Sequence, residues 1–327
     1  MPIITSPHEF NVDDLFVDLN GCTGRSLYLK CEGFNFAGSI KIKAATEMIG
    51  AAERDGTLTP GATLVESSSG NLGVALSLVA ASRGYRFICV TDSRCTLGAR
   101  QLMQTLGAEV HVITEPHPED GLLGARIAHV RRLCAEGAEG AGRVWLNQYA
   151  NAGNWQAHYR TTGPQIASSF PGADVAFIGA GTTGTLMGCA RYLREHCPGM
   201  RVVAIDTVGS VTFGTPAAPR MIPGLGTGVR PALLDESFVD DVVHVPELDT
   251  VRMCRRLVRA GFLFGGSTGT VVAGALSWLD RNAGGGCVAV AVAPDLGDRY
   301  LDTVYHDQWV ADLYGEAALA PPAALGS

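Results

Sequence analysis

A primary amine that can lose its proton is the scarcest reactive group in this sequence. Only Lys30, Lys41 and Lys43 are lysines, against an abundance of arginine. Unlike arginine, lysine can become neutral and attack a carbonyl carbon, above all where burial or a helix N-terminus disfavours its charge. Lys41 follows Gly38 at the predicted first turn of a helix, whereas Lys30 ends an alternating strand pattern and is expected to be solvated. Lys41 is therefore the candidate nucleophile, and Lys43 must point elsewhere.

A glycine-rich loop joins the predicted strand Val175–Gly179 to a predicted helix. The run from Gly179 to Gly184 fits G-x-G-x-x-G, and Asp206 follows about twenty residues later, as in a dinucleotide site. The same converging backbone N–H groups, with two threonine hydroxyls, would serve a single phosphomonoester equally well. The loop alone leaves an NAD-linked oxidoreductase and a phosphate-bearing cofactor such as pyridoxal phosphate both open.

Two further loops place hydroxyl groups at predicted helix N-termini. The first runs from Glu66 to Gly73 and contains three serines and Asn71, which suit a carboxylate ligand. Its alternative interpretation is an ordinary helix N-cap with a glycine for tightness. The second runs from Gly265 to Thr270 and offers more hydroxyls before another helix.

The elements that must position these loops are predicted to form an α/β fold. Short β-rich apolar runs alternate with segments of helical period, which is typical of parallel sheets flanked by helices. The predicted strands are Leu27–Cys31, Thr63–Glu66, Phe87–Asp92, Glu109–Thr114, Val144–Gln148, Val175–Gly179, Arg201–Thr207, Val239–Val245 and Cys287–Ala293. So many strands predict two lobes with the active site in the cleft between them.

The predicted smaller lobe covers residues 35–147 and carries the carboxylate-binding loop. Residues 1–34 and 148–310 are predicted to form the larger lobe, which holds the cofactor. Residues 311–327 are predicted to be a disordered tail, because the end of the chain has neither charge nor a hydrophobic period.

Composition narrows the class of protein. The chain has 327 residues, 46% of them hydrophobic, and a formal charge of −7 without basic clusters, which disfavours a nucleic-acid partner. Its nine cysteines include no CxxC pair and lie mostly in apolar runs, so they are expected to be reduced. No signal-peptide pattern and no apolar run of membrane-spanning length is present. We therefore predict a cytoplasmic enzyme acting on small molecules, with no membrane partner and no metal site.

Four segments together resemble the cofactor motifs of one enzyme family, in the family's order. They are Gly38-Ser39-Ile40-Lys41, Ser68-Ser69-Gly70-Asn71, Gly181-Thr182-Thr183-Gly184-Thr185 and Gly265-Gly266-Ser267-Thr268-Gly269. The chain resembles the fold-type II pyridoxal-phosphate enzymes of the cysteine synthase and cystathionine β-synthase branch, which have a two-lobed fold similar to the tryptophan synthase β subunit. Within that branch, residues 147–159, 209–214 and 298–302 are most similar to SbnA-type N-(2-amino-2-carboxyethyl)-L-glutamate synthases.

The resemblance implies a role for each motif. The implied cofactor ligands are Lys41, Asn71, Gly181, Thr182, Thr183, Gly184, Thr185 and Ser267. The implied substrate ligands are Ser68, Ser69, Gly70, Asn71, Leu72, Gln148, Tyr149 and Arg126. Lys41 would carry the cofactor and remove the Cα proton, and the run from Gly181 to Thr185 would bind the phosphate. Asn71 would bond the ring oxygen and Ser267 the ring nitrogen.

The implied reaction is β-replacement on O-phospho-L-serine. L-Glutamate would displace phosphate to give N-(2-amino-2-carboxyethyl)-L-glutamate, a precursor of 2,3-diaminopropionate in siderophore or peptide-antibiotic biosynthesis. Two acidic substrates need cationic partners, for which Arg126 and Arg230 are candidates, although Arg230 also fits a solvated surface arginine. The alternative is a cysteine synthase that uses sulfide with O-acetylserine or O-phosphoserine, and the family also implies a homodimer.

Overall fold

The chain folds into two parallel sheets, each flanked by helices, as the alternating pattern predicts. The structure is a computed structural model that describes residues 3–118, 121–137 and 142–320. Its strands are β1 (Phe16–Asp18), β2 (Leu27–Cys31), β3 (Thr63–Ser67), β4 (Arg86–Asp92), β5 (Glu109–Ile113), β6 (Arg143–Trp145), β7 (Val175–Gly179), β8 (Arg201–Thr207), β9 (Asp241–Val245) and β10 (Ala289–Ala293). The predicted α/β class is confirmed.

Helices connect these strands, and a last helix follows β10. They are α1 (Asn20–Thr23), α2 (Lys41–Arg54), α3 (Asn71–Arg83), α4 (Leu97–Thr105), α5 (Gly121–Glu136), α6 (Ala152–Arg160), α7 (Thr162–Ser169), α8 (Gly184–His196), α9 (Glu247–Arg259), α10 (Gly266–Asn282) and α11 (Asp307–Tyr314). Within the ranges that the structure describes, none of these helices combines the length and apolarity needed to cross a membrane.

The larger sheet has six strands in the order β1-β2-β10-β7-β8-β9. All neighbours are parallel except β1, which pairs antiparallel with β2 so that Phe16 faces Lys30. Its central strands are continuously apolar because both faces are covered by helices: every residue of β10 is buried. One face packs on α9 and α10, and the other packs on α7 and α8.

The smaller sheet has four parallel strands in the order β5-β4-β3-β6. Helices α2, α3 and α4 pack on one face through apolar side chains such as Met48 and Leu76. Helix α5 covers the other face through Val130 and Leu133. The proposed lobe boundaries at residues 35 and 148 stay predictions, although every strand from β3 to β6 pairs only within this sheet.

Close helix packing fixes the start of α8 against α6. A Cβ added at Gly188 would lie 2.3 Å from the Trp155 carbonyl oxygen, and one at Gly184 would lie 2.1 Å from Asn154 Oδ1. Only glycine allows this approach, since real Cβ atoms do not come so close to other atoms. The packing holds the loop before α8 in place.

Two predictions about the outer parts of the chain are wrong. Lys30 is not a solvated strand end, because β1 covers it on the side away from β10 and its side chain is fully buried. Residues 311–320, predicted to lie in a disordered tail, contain the end of α11 and a 3-10 turn in which Ala318 packs on Val251. The apolar face of α11 therefore has a partner that its sequence alone does not reveal. The remainder of the predicted tail, residues 321–327, lies outside the described residues.

Candidate active site

A cavity lies at the loops that follow β3, β6, β7 and β10, where the carboxyl ends of parallel strands face it. The structure brings to this cavity all of the site residues predicted from sequence except one. The lining includes Lys41, Ser68, Ser69, Gly70, Asn71, Leu72, Gln148, Tyr149, Gly181, Thr182, Thr183, Gly184, Thr185 and Ser267. The exception is Arg126, which lies deeper in the smaller lobe.

Lys41 begins helix α2 and lines the cavity. Among the described residues, its amine has no ion-pair or hydrogen-bond partner, whereas Lys30 and Lys43 are both ion-paired. Burial lowers the pKa of Lys41 to about 8. Roughly a tenth of this amine is therefore neutral at pH 7, far more than for a free lysine, and the neutral form is the one that a nucleophilic or basic lysine requires.

The lowered pKa predicts how the apoprotein reacts with amine reagents. The neutral amine is the reactive form, so acylation of Lys41 by a small reagent should rise with pH and reach half its maximum rate near pH 8. A free lysine would reach that point near 10.4. Peptide mass spectrometry at each pH measures the rate. Lys30 and Lys43 serve as internal controls, because both are buried and ion-paired and should label slowly throughout; a midpoint for Lys41 above 10 would contradict the prediction.

The glycine loop between β7 and α8 has unsatisfied hydrogen-bonding groups directed at the cavity. No side chain caps the N-terminus of α8, and Thr183 adopts a left-handed conformation with φ +65. Its hydroxyl is buried and has no hydrogen-bond partner. The Thr182 hydroxyl accepts a hydrogen bond of 2.9 Å from Asn154 Nδ2. Uncapped N–H groups together with an unpaired buried hydroxyl fit a phosphate group.

The serine loop after β3 is held by its own hydrogen bonds. Ser68 Oγ accepts from the backbone N–H groups of Gly70, at 3.3 Å, and Gly73, at 2.8 Å. No side chain caps the N-terminus of α3. Ser69 and Leu72 line the cavity beside it. The loop therefore presents a shaped helix N-terminus, the kind of site that binds a carboxylate.

A buried carboxyl group positions Gln148 against this loop. Glu66 accepts hydrogen bonds from the backbone N–H of Gln148, at 3.1 Å, and from Trp145 Nε1, at 3.0 Å. Gln148 Nε2 in turn donates to the Ser67 carbonyl at 2.7 Å. Burial raises the pKa of Glu66 to about 7. Glu66 was not predicted as a site residue, because only the pairing of β3 with β6 makes it a support for Gln148.

Asp295 connects the groups expected around a cofactor ring. Its buried carboxylate accepts from Asn71 Nδ2 at 3.2 Å and from the Tyr300 hydroxyl at 2.6 Å. Arg299 Nη1 donates to Asn71 Oδ1 at 2.8 Å, which fixes the orientation of the carboxamide. Tyr300 lies beside Ser267, and both line the cavity. Burial raises the pKa of Asp295. Residues 298–302 were predicted to matter only from their resemblance to the family, and Asp295 was not predicted as a site residue.

His158 links the glycine loop to the smaller lobe. Its Nε2 lies 3.2 Å from Thr185 Oγ1 and its Nδ1 lies 3.1 Å from Thr162 Oγ1. Lys43 Nζ donates to the same Thr162 hydroxyl at 3.4 Å. Burial, aided by the nearby lysine charges, lowers the pKa of His158 well below its usual value. The ring is neutral and serves to orient Thr185.

The charges of three arginines act on Tyr149, and two of these arginines were not predicted. Arg126 is 4% exposed, and its Nε lies 3.3 Å from Asp92 Oδ2. Burial raises the pKa of Tyr149, while the charges of Arg126, Arg220 and Arg94 oppose that rise. No sequence pattern reveals this group, because its arginines come from three separate segments.

Arg230 does not join this group. It pairs with Glu236 on the surface and donates to the Thr212 carbonyl at 3.3 Å. Its side chain is 53% exposed. Of its two interpretations, the solvated surface arginine fits the structure.

The chain belongs to the family of pyridoxal-phosphate dependent enzymes, which matches residues 16–295. Its cofactor is pyridoxal 5'-phosphate, and the residues at the cavity fit that group: an unpaired amine at Lys41, an unpaired hydroxyl at Thr183 and an uncapped helix N-terminus. The dinucleotide interpretation of the glycine loop is wrong. Asp206 is fully buried and accepts from the Thr207 backbone N–H at 2.8 Å, so a ribose cannot reach it.

Particular relatives narrow the class further. The chain is 40% identical over 294 residues to an N-(2-amino-2-carboxyethyl)-L-glutamate synthase of Ralstonia nicotianae, covering 89% of this chain and 86% of the relative. It is 36% identical over 311 residues to the synthase of that name from Cupriavidus metallidurans, covering 94% and 90%. The crystal structure of an O-ureido-L-serine synthase superposes with a TM-score of 0.85 at 33% identity, covering 96% of each chain. The predicted fold type II, of the cysteine synthase kind, is confirmed.

Proposed function

We propose that this enzyme joins O-phospho-L-serine and L-glutamate into N-(2-amino-2-carboxyethyl)-L-glutamate. The reaction breaks the bond from Cβ to the phosphate oxygen, which leaves with its electron pair, and forms a bond from Cβ to the glutamate nitrogen. The glutamate nitrogen loses one proton as its new bond forms, and this proton is released together with the phosphate. The observation that carries the proposal is the 40% identity, over most of both chains, to a synthase of that name. The cluster of arginines around Tyr149 supports it, since both substrates are acidic.

Within this proposal each group of residues at the cavity has its own role in binding or proton transfer. The cofactor, when bound, supplies an electron-withdrawing ring that makes the substrate Cα–H bond acidic. Lys41 would hold the cofactor and move the Cα proton through its amine, which burial keeps partly neutral. The run from Gly181 to Thr185 would hold the phosphate, Asn71 the ring oxygen and Ser267 the ring nitrogen.

The substrate would bind on the side of the smaller lobe. The loop from Ser68 to Leu72 would receive its carboxylate at the N-terminus of α3, with Gln148 fixed beside it by Glu66. Tyr149 lines the cavity, and Arg126, which pairs with Asp92 outside the cavity lining, acts on it through its charge. Tyr149 would contact the phosphate of the first substrate, and Arg126 would attract that phosphate by its positive charge.

A cysteine synthase is the alternative within the same family. Sulfide would attack the same β-carbon but carries no carboxylate. The charges of Arg94, Arg126 and Arg220 favour the acidic nucleophile, because among the described residues the first two share the carboxylate of Asp92 as ion-pair partner and an added anion would offset the excess of positive charge.

The experiment that tests the proposal offers the purified holoenzyme O-phospho-L-serine with L-glutamate, and separately with sulfide. We expect one phosphate and one N-(2-amino-2-carboxyethyl)-L-glutamate per O-phosphoserine consumed, measured by phosphate assay and mass spectrometry. The same assay with O-acetyl-L-serine checks the leaving group. Cysteine as the dominant product at equal nucleophile concentrations would assign the enzyme to the alternative.

We also propose that the enzyme acts in the cytoplasm as a homodimer, in a secondary pathway that supplies 2,3-diaminopropionate. All nine cysteines are free, and five of them are buried, which suits a reducing compartment. Exposed aromatic residues near the N-terminus support a dimer, among them Phe36, which is 61% exposed and packs against Phe10.

A further inference from the structure

Two of the arginines whose charges act on Tyr149 follow strands of different sheets. Arg94 follows β4 and precedes α4, whose Thr96 and Ala99 line the cavity. Arg220 lies in the long segment after β8 of the larger sheet. Burial lowers the pKa of Arg220, and the charge of Arg94 lowers it further. The two cations are therefore near enough to repel each other. Such a pair is stabilised by an anion placed between its members.

Arg94 is only partly neutralised by its own partner. Its Nε and Nη2 donate to the two oxygens of Asp92 at 3.1 and 2.8 Å. Arg126 pairs with the same carboxylate, so two guanidinium groups share the single negative charge of Asp92. The side chain of Arg94 is 29% exposed to solvent, and that of Arg126 is 5% exposed. Arg94 is therefore the more accessible of the two.

Arg220 is held against the wall of the cavity. Its Nη1 donates to the Leu225 carbonyl at 3.3 Å, and its Nε is buried without a hydrogen-bond partner. A Cβ at Gly226 would lie 2.1 Å from Arg220 Nη1, so the chain makes room for the guanidinium. Leu225 and Gly226 both line the cavity. The charges of Asp206 and Glu247 act on Arg220, but among the described residues neither carboxylate forms an ion pair with it. Both accept hydrogen bonds from backbone N–H groups.

The order of the reaction decides which substrate this pair serves. In the proposed function the first substrate sits at Lys41 with its carboxylate at the serine loop, and its phosphate lies toward Tyr149, which lines the cavity. The second substrate must bring only its amine to the β-carbon. Its remaining atoms, including both carboxylates, extend toward the outer arginines. We infer that Arg94 and Arg220 bind the carboxylates of the acidic amino acid that acts as nucleophile, an inference that rests on the proposed function.

The two half-reactions separate this role from a structural one. Arg220→Gln and Arg94→Gln are compared with wild-type holoenzyme and with Arg230→Gln, a control in the same loop whose arginine pairs with Glu236 on the surface. Phosphate released from O-phospho-L-serine without a second substrate reports the first step. The rate of product formation against L-glutamate concentration, and separately against sulfide, reports the second.

We expect the glutamate KM to rise about 10- to 100-fold in each of the first two variants, because a charged hydrogen-bonded pair is lost. Phosphate release, the rate with sulfide and the Arg230→Gln control should stay within about twofold of wild type. An unchanged glutamate KM would overturn the inference alone, as would an equal loss with sulfide or a defect in phosphate release. If wild-type enzyme uses sulfide but not glutamate, the inference and the proposed function both fail.

Discussion

Replacing Lys41 with alanine should lower turnover by about 1,000- to 10,000-fold, the range expected when a group that both holds the cofactor and moves a proton is lost. No other residue is expected to have a larger effect on activity. The fold should survive, because among the described residues the Lys41 amine has no ion pair or hydrogen bond to lose. Steady-state turnover with O-phospho-L-serine and L-glutamate measures the loss, and circular dichroism checks the fold.

Two observations test whether the lost group is the amine itself. The visible absorbance of purified wild-type enzyme should be altered or absent in Lys41→Ala. A small external amine such as methylamine should restore part of the activity, since the cavity retains the space that the side chain filled. Lys41→Ala protein that turned over within tenfold of wild type would remove Lys41 from the mechanism.

Glu32→Gln should cost the largest amount of stability, about 3–5 kcal/mol in the free energy of unfolding. Glu32 is buried and lies 3.0 Å from Lys30 Nζ and 2.8 Å from Lys43 Nζ. Removing its charge leaves two buried ammonium groups without this carboxylate. Lys30 keeps the Asp13 carbonyl, at 2.7 Å, and the Phe16 ring, whose centroid is 5.3 Å away, and Lys43 keeps the half-exposed Asp13 carboxylate, at 3.2 Å. Burial already lowers the pKa of Lys30, so the loss should shrink at high pH as that amine becomes neutral.

Denaturant unfolding of the apoprotein measures this cost without help from the cofactor. Glu236→Gln is the matched control, because it removes the same charge from an exposed pair with Arg230 and should change the unfolding free energy by less than about 1 kcal/mol. Equal stabilities of the two variants would mean that water reaches Lys30 and that the cluster is not buried in solution.

Much of the fold could be predicted from the sequence, because parallel strands that are buried on both faces have continuously apolar sequences. The bounds of β2, β7 and β8 agree with their predicted ranges. Strand β1 was missed: it has three residues and pairs only with β2 at the edge of the sheet, so its own composition carries little signal. The same missed strand explains the wrong prediction for Lys30. Without β1 beside it, the alternating pattern of β2 predicts that Lys30 is exposed to solvent.

The parts of the site that lie within one loop could be predicted from the sequence. Lys41 at a helix start, the glycine loop and the serine loop each carry their signal in adjacent residues, since a backbone that binds phosphate or carboxylate is built locally. Their meeting in one cavity follows from parallel topology, which places the carboxyl ends of the strands at one edge.

Which charged groups meet at the cavity depends on how distant segments pack together. The supports at Glu66 and Asp295, and the pair formed by Arg94 and Arg220, join side chains separated by tens to hundreds of residues. Electrostatic interactions depend on distance and burial in space, and neither is encoded by spacing along the chain.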